Sequence, residues 1–391
     1  MKVVVAHNRY ASGQPSGENV IVDAEIAQLG AAGVTVVPFL RSSDEIGTFT
    51  TAQKVLLPLS PLRNGASLRA LSAVIKAEKP DLVHLHNPYP LISPSIVKTA
   101  HAHGVPVVHT VHNYRQVCAP GLYFRDGHIC TQCRGRTFPT PAITHACYRG
   151  SKAQSAVMAA TLTYHRGTWK QVDHFVALTD RIAAHLADFG IPAERITVKP
   201  NGIPDAGVAT EPGNGFLYAA RLTPEKGLEL VLDAWSRHDD GALGPLRIIG
   251  DGPLRPRAER AAAERGDVTY LGPVDNATVR AEVARAACVI AASTWHDVLP
   301  TIILEALSGG RPVLVTDRGG MPYLTGEAGW VVEPDATSLA DGLRKAHEGA
   351  AALAPVARAR YESQFAPDVL TERLIGVYRA VLERGAGPAA G

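Results

Sequence analysis

The stretch DLVHLHNPYPLISPSIVKTAHAHGVPVVHTVHN, residues 81–113, decides the fold. Two short apolar runs, DLVHLHN (81–87) and VPVVHTVHN (105–113), flank ISPSIVKTAHAHG (92–104), which has helical spacing and a glycine stop. Strand, helix, strand within so short a span predicts a parallel pair joined by a crossover helix. The pattern extends in both directions. Upstream lie KVVVAHN (2–8) as a strand, NVIVDAEIAQLGAAG (19–33) as a helix, VTVVPFL (34–40) as a strand and SLRALSAVIKAEKP (67–80) as a helix ended by proline. Downstream, HFVALTD (174–180), DRIAAHLADFG (180–190) and ITVKPNG (196–202) continue it. Such alternation implies a parallel sheet with helices on both faces.

The alternation breaks at GIPDAGVATEPGNG (202–215), a stretch rich in Gly and Pro that reads as a linker. A second series follows: GFLYAAR (215–221), the helical GLELVLDAWSRH (227–238), then strands PLRIIGDG (245–252), DVTYLGPV (267–274), CVIAAS (288–293) and RPVLVTD (311–317). The chain closes with a helix from about Leu370 to Arg384 and a GAGPAAG tail. The fold class is therefore α/β, with two doubly wound Rossmann-like domains facing across a cleft. The expected limits are 1–202, carrying an insert at 115–150 and completed by a helix at 369–385, and 203–368. In open parallel sheets, ligands bind beyond the carboxyl ends of the strands.

With 391 residues the chain is too long for one ordinary core. No run of about 18 apolar residues is present, so no membrane-spanning helix is expected. MKVVVAHN reads as a first strand rather than a secretory signal, which points to a cytoplasmic protein with an optional peripheral contact at the inner membrane face. The halves differ in charge: residues 1–200 carry 20 Lys and Arg against 12 Asp and Glu, and residues 201–391 carry 19 against 25. A basic first half suits an anionic partner or ordinary surface variation equally well, and nothing points to nucleic acid.

WHDVLPTIILEALSGG (295–310) places Asp297 and Glu305 on either side of a helix start at Pro300. Strand, polar loop and helix N-terminus converge on a phosphate site, because free N–H groups and the helix dipole meet there. Thr301 and Glu305 are four apart and share a face. AARLTPEKGLELV (219–231) puts Arg221 and Lys226 in a similar turn, where two cations suit a diphosphate and its departure as a leaving group. RYASGQPSGENV (9–20) is a glycine loop that lets backbone N–H groups approach a phosphate or sugar.

On these residues the chain resembles glycosyltransferases of the GT-B fold, family 4, the retaining and metal-independent group. The segments are the loop at Gly17, HTVHNYR (109–115), VKPNGI (198–203), AARLTPEKGL (219–228), RIIGDGPLR (247–255), VTYLGPV (268–274) and WHDVLPTIILEALSGGRPVL (295–314). The resemblance implies a nucleotide-sugar donor, most often a UDP-sugar, and a hydroxyl acceptor. Glu305 would hold the ribose and Asp297, a glutamate in relatives, would meet donor-sugar hydroxyls. Arg221 and Lys226 would neutralise the diphosphate, with Gly17 and the N–H groups around Val298, Leu299 and Thr301 wrapping it. Gly272 to Val274 would lie by the base. His112 matches the family's active-site histidine, whereas His109 reads as a core residue. No cofactor is required for the implied chemistry. A sugar-nucleotide epimerase or phosphorylase, and a non-catalytic sugar-nucleotide binder, are the alternatives. A nicotinamide dehydrogenase is disfavoured because GxGxxG is missing after the first strand.

Between Cys118 and Cys147 lie four cysteines, at 118, 130, 133 and 147. The Cys130/Cys133 pair can bite one metal and four thiolates can complete a structural zinc site, with free thiols and disulfides as the alternatives. Cys288 begins an apolar strand and reads as core. Arg115 and Arg125 lie in or beside this insert, directly after His112, and are expected to contact the acceptor.

Overall fold

The computed structural model describes residues 1–13, 17–209 and 211–385. The middle of the 9–20 glycine loop and all but the first residue of the GAGPAAG tail lie outside the described residues. The chain divides into two compact units. The first runs from Met1 to Tyr123 and from Cys130 to Asn201, and takes in the C-terminal helix from Leu370 onward. The second comprises Gly202–Val369 together with the six-residue segment Phe124–Ile129.

Strands of the first unit are β1 (Lys2–Arg9), β2 (Thr35–Ser42), β3 (Leu82–Leu85) and β4 (Val107–Val111). After β5 (Phe124–Arg125) and β6 (His128–Ile129), an antiparallel hairpin belonging to the other unit, come β7 (His174–Ala177) and β8 (Ile196–Val198). The sheet order is β2-β1-β3-β4-β7-β8, parallel throughout. All four residues of β3 and all five of β4 are buried, as strands covered on both faces must be. The helix predicted over 92–104 shortens to Ile96–His101. Pro94 keeps Ser93 out of the α region, and Ser93 takes a φ of 75°. The helix Gly17–Ala31 supplies Val22 and Leu29 to the core, and the helix Pro367–Gly385 supplies Leu374, Tyr378 and Val381 to the same cluster as Val3, Val5 and Leu82. The last helix of the chain thus fills the core of its first unit.

In the second unit, β9 (Phe216–Ala219), β10 (Leu246–Ile249), β11 (Val268–Gly272), β12 (Cys288–Ala291), β13 (Val313–Thr316) and β14 (Gly329–Val332) form another parallel sheet, in the order β11-β10-β9-β12-β13-β14. Its core gathers Tyr218, Val231, Trp235, Ile248, Leu314 and Leu343, with Cys288 buried among them. Trp235 is 1% exposed and its indole N–H donates to Asp267 at 3.1 Å, so the ring is both packed and satisfied. Truncating such a side chain costs about 3–5 kcal/mol.

Each sheet reverses its winding once. In the first unit the reversal lies between β1 and β3, and in the second between β9 and β12. Crevices open at such points because the two flanking connections leave in opposite directions. The larger candidate cavity lies at the second of these points, and the smaller beside the first.

Candidate active site

In the second unit a cavity of about 560 Å³, counted with its open mouth, sits beyond the carboxyl ends of β9 and β12. Ala219, Ala220, Arg221, Lys226, Ser293, Asp297 and Thr301 line it. Two loops build it. One leaves β9, makes a single 3-10 turn at Pro224–Lys226 and enters the helix Leu228–Trp235 through Gly227, whose φ is 77°. A Cβ on Gly227 would come within 1.9 Å of the Ala292 carbonyl, so only glycine lets the two loops touch. The other leaves β12 and enters the helix Thr301–Ser308, with Pro300 as its extended N-cap rather than its first helical residue. The backbone N–H of Thr294 donates to the Glu225 carbonyl at 2.9 Å and ties the loops together.

The charges in this cavity are arranged against one another. Lys226 donates from Nζ to Asp297 Oδ2 at 2.5 Å, and both side chains are largely buried. Ser293 donates to the same oxygen at 3.1 Å. The ammonium lies 5.7 Å from the Trp295 ring centroid, a cation–π contact. Phe124 of the β5–β6 hairpin packs edge-on against that indole, with centroids 6.4 Å apart. Asp297 is fixed from behind as well: Gly320 donates to its carbonyl at 2.8 Å, and a Cβ on Gly319 would stand 2.0 Å from that oxygen. Arg221 is different. Its side chain is 70% exposed and its nearest acid, Glu225, is 3.8 Å away, which is a weak surface pair. The site therefore holds one cation spoken for and one free to move.

Glu305 lies one turn into the helix, half-buried. Burial raises its pKa, and a hydrogen bond with Thr301 opposes the rise. Val298 and Leu299 are half-buried in the loop before the helix. Gly272, with φ 73°, and Val274 lie at the end of β11, two strands from β9, which is about 10 Å at ordinary strand spacing. They do not line the cavity. Ser293 and Trp295 are site residues that sequence reading did not single out. The serine was visible only as the last letter of CVIAAS.

The first unit has its own cavity, about 280 Å³ with its mouth, beyond the ends of β3 and β4. Glu18, His86, Tyr89, His112, Asn113 and Arg115 contribute to its wall. His112 Nε2 lies 3.0 Å from His86 Nδ1. Burial, reinforced by His86, holds His112 well below the usual histidine range. His109 lines the same cavity but is stacked on Trp169 at 4.7 Å and bonded to the Leu85 carbonyl, as a core residue should be. Burial raises the pKa of Glu18, whose neighbours are His7 and the Tyr10 hydroxyl at 3.3 Å. Arg115 stacks over Tyr89 at 5.6 Å. Arg125 is not part of this wall. It pairs with Asp126 at 3.1 Å in the hairpin that belongs to the second unit. Gly17 opens the helix Gly17–Ala31 and is exposed.

Cys118, Cys130, Cys133 and Cys147 are all half-buried and none is in a disulfide. The Tyr123 N–H points at Cys118 Sγ at 3.4 Å. Burial, then the neighbouring Cys118, pushes the Cys133 thiol up to about 11. Among the described residues, the group that gathers metal-type ligand atoms within 4.8 Å of one another is instead Glu25, His84 and His86.

Two family models cover most of the chain: a glycosyl transferase 4-like domain over residues 16–202 and a glycosyl transferases group 1 domain over residues 213–348. Relatives include an exopolysaccharide phosphotransferase of Streptomyces coelicolor, 29% identical over 230 residues, a match spanning 56% of this chain but only 24% of that protein. A D-inositol 3-phosphate glycosyltransferase of Saccharomonospora viridis is 26% identical over 95% of this chain and 91% of its own length. Among solved structures, HepE of Anabaena in complex with UDP superposes with a TM-score of 0.66 at 16% identity, covering 97% of this chain and 100% of that one. No helix among the described residues is long and apolar enough to cross a membrane. With both units matched in order, and each sheet parallel and reversed once, the chain belongs to the GT-B glycosyltransferases of family 4.

Proposed function

We propose that this glycosyltransferase moves a hexose from a UDP-sugar to an acceptor hydroxyl with retention of anomeric configuration. One observation carries the reading: Arg221, Lys226 and Asp297 line a single cavity beside the N-terminus of the helix Thr301–Ser308. A diphosphate placed there meets two cations and the free N–H groups of the first helical turn. Glu305, one turn deeper, is the acceptor for the ribose hydroxyls, and Asp297 for those of the sugar. Gly272 and Val274, two strands away, suit the base. That HepE was captured with UDP and with UDP-glucose favours a uridine donor.

The chemistry follows from the charges. The bond from the anomeric carbon to the diphosphate breaks, and Lys226 and Arg221 stabilise the charge left on the phosphate. The acceptor oxygen attacks from the same face, and its proton passes to the departing phosphate oxygen. In this reading the first unit binds the acceptor through His112 and Arg115, whose guanidinium favours an anionic group near the reacting hydroxyl. Polysaccharide precursors, lipid-linked sugars and small natural products all meet that description.

Thermal-shift and calorimetric titration with UDP-, GDP- and dTDP-sugars test the donor, and mass spectrometry of reactions with each acceptor class tests transfer. Binding of a UDP-sugar and a product heavier by one hexose are expected. No stabilisation by any nucleotide sugar would refute the proposal.

A further inference from the structure

Beneath His112 lies a buried chain of polar groups that binding of a donor does not explain. His86 Nδ1 meets His112 Nε2 at 3.0 Å, and His86 Nε2 lies 3.2 Å from Glu25 Oε1, a close contact in which neither atom has a formed hydrogen bond. The other oxygen of Glu25 accepts from Lys199 at 2.6 Å. Glu25 is 7% exposed, His86 1% and Lys199 3%. Residues from the first helix, the ends of two neighbouring strands and the segment after β8 thus meet in one chain of contacts. A local hydrophobic core would have been cheaper, since burying a charge pair costs several kcal/mol per ion before its attraction is counted.

We infer that Glu25, acting through His86, sets the tautomer of His112 so that His112 presents an unprotonated Nδ1 to a substrate hydroxyl. Burial pushes Glu25 toward its neutral form, but Lys199 and then His86 outweigh it and hold the carboxyl well below the usual range. An ionised carboxylate only accepts, so the His86 nitrogen facing it carries the proton. With one proton on each ring, His86 keeps a lone pair on Nδ1. That lone pair must accept from His112, which places the proton on His112 Nε2 and leaves Nδ1 as an acceptor. Three further histidines near the two rings have partners of their own. His84 bonds Thr110 at 2.7 Å and Tyr378 at 2.6 Å, its Nδ1 standing farther from Glu25 Oε1, at 3.4 Å, than His86 Nε2 does, and His109 Nδ1 bonds the Leu85 carbonyl. His7 bonds Asn19 at 3.1 Å and is held near 4 by burial.

Glu25, His84 and His86 also form the metal-compatible group. Lys199 argues against an ion there, because the ammonium already occupies one carboxylate oxygen and would repel a dication. Glu25 and His86 are therefore positioning residues.

The tautomer is independent of any activity, and only its catalytic consequence rests on the glycosyl-transfer reading. Imidazole nitrogen shifts of the full chain, made with ¹⁵N-histidine and assigned with His112→Gln and His86→Gln, report it directly. The expected result is His112 protonated at Nε2 alone. Glu25→Gln, whose amide can turn an N–H toward His86, should reverse both rings. The double variant Glu25→Gln with Lys199→Met removes both charges and guards against misfolding caused by an orphaned lysine. Where UDP-sugar turnover is measured, these variants should lower kcat at least tenfold with little change in donor KM. A wild-type His112 carrying its proton on Nδ1, or a tautomer unmoved in both variants, would overturn the inference. So would zinc shifting, or manganese broadening, the His86 resonances in a stoichiometric titration.

Discussion

Asp297→Asn separates two roles that the candidate donor site combines in one carboxylate. In the free protein Asp297 occupies Lys226 at 2.5 Å. A diphosphate must share that ammonium or take it away. A hydrogen bond to a charged group contributes a net of about 1.5–3 kcal/mol, and the isosteric amide keeps about 1 kcal/mol of it. Releasing Lys226 should therefore strengthen UDP binding by about 1 kcal/mol, or roughly fivefold. Loss of the negative charge beside the phosphates acts in the same direction. A UDP-sugar loses its hydroxyl acceptor as well, so its affinity should stay level or fall, and transfer should drop by at least about 100-fold. The amide still accepts from Ser293, and the Gly320 contact runs through backbone, so the loop keeps its shape. Calorimetry with UDP and with the UDP-sugar reads both affinities, and far-ultraviolet circular dichroism reads the fold. UDP binding weakened in a folded Asp297→Asn protein would show that Lys226 is not the diphosphate cation. UDP affinity unchanged in Lys226→Met would show the same.

Other outcomes follow from the same geometry. Gly227→Ala should abolish donor binding and lower the Tm, since its Cβ would strike the Ala292 carbonyl at 1.9 Å, and calorimetry with thermal denaturation checks both. Glu305→Ala should weaken UDP binding about tenfold while leaving that of inorganic diphosphate unchanged, because only the nucleotide carries a ribose. Acid should unfold the first unit. Burial lowers His7, His165, His174 and His185 to about 4 and His109 to about 3. A histidine with a lowered folded pKa takes up protons first in the unfolded chain, so its contribution is complete above about pH 6.5 and is lost as the pH falls toward 4. At pH 5.5 each of these five has given up about 1 kcal/mol. A Tm that stays level from pH 8 to pH 5 would refute this.

What was legible in the chain was local. KVVVAHN and VPVVHTVHN each hold a short apolar run ending in polar residues, so β1 and β4 follow from them directly. Arg221, Lys226, Asp297 and Thr301 could be named because each lies just past a strand, and strand ends in such sheets converge. Partnerships were not legible. Lys199 and Glu25 are 174 residues apart, and neither alters the periodicity of its own element. Nor does Lys226 announce that it is already paired with Asp297, 71 residues away. β14, at the sheet edge, has no fully buried residue, so it lacks the apolar run that marks the four-residue strands inside the sheet. The hairpin at 124–129 joins the unit that follows it, which no composition shift marks.

The C-terminal helix that seats Leu374, Tyr378 and Val381 against Val3 and Val5 has a consequence for biosynthesis. During translation the opening strands emerge from the ribosome more than 350 residues ahead of the segment that closes over them. The unit begun first is closed later, and its nascent sheet must wait, exposed or chaperoned, until the helix Pro367–Gly385 has been made.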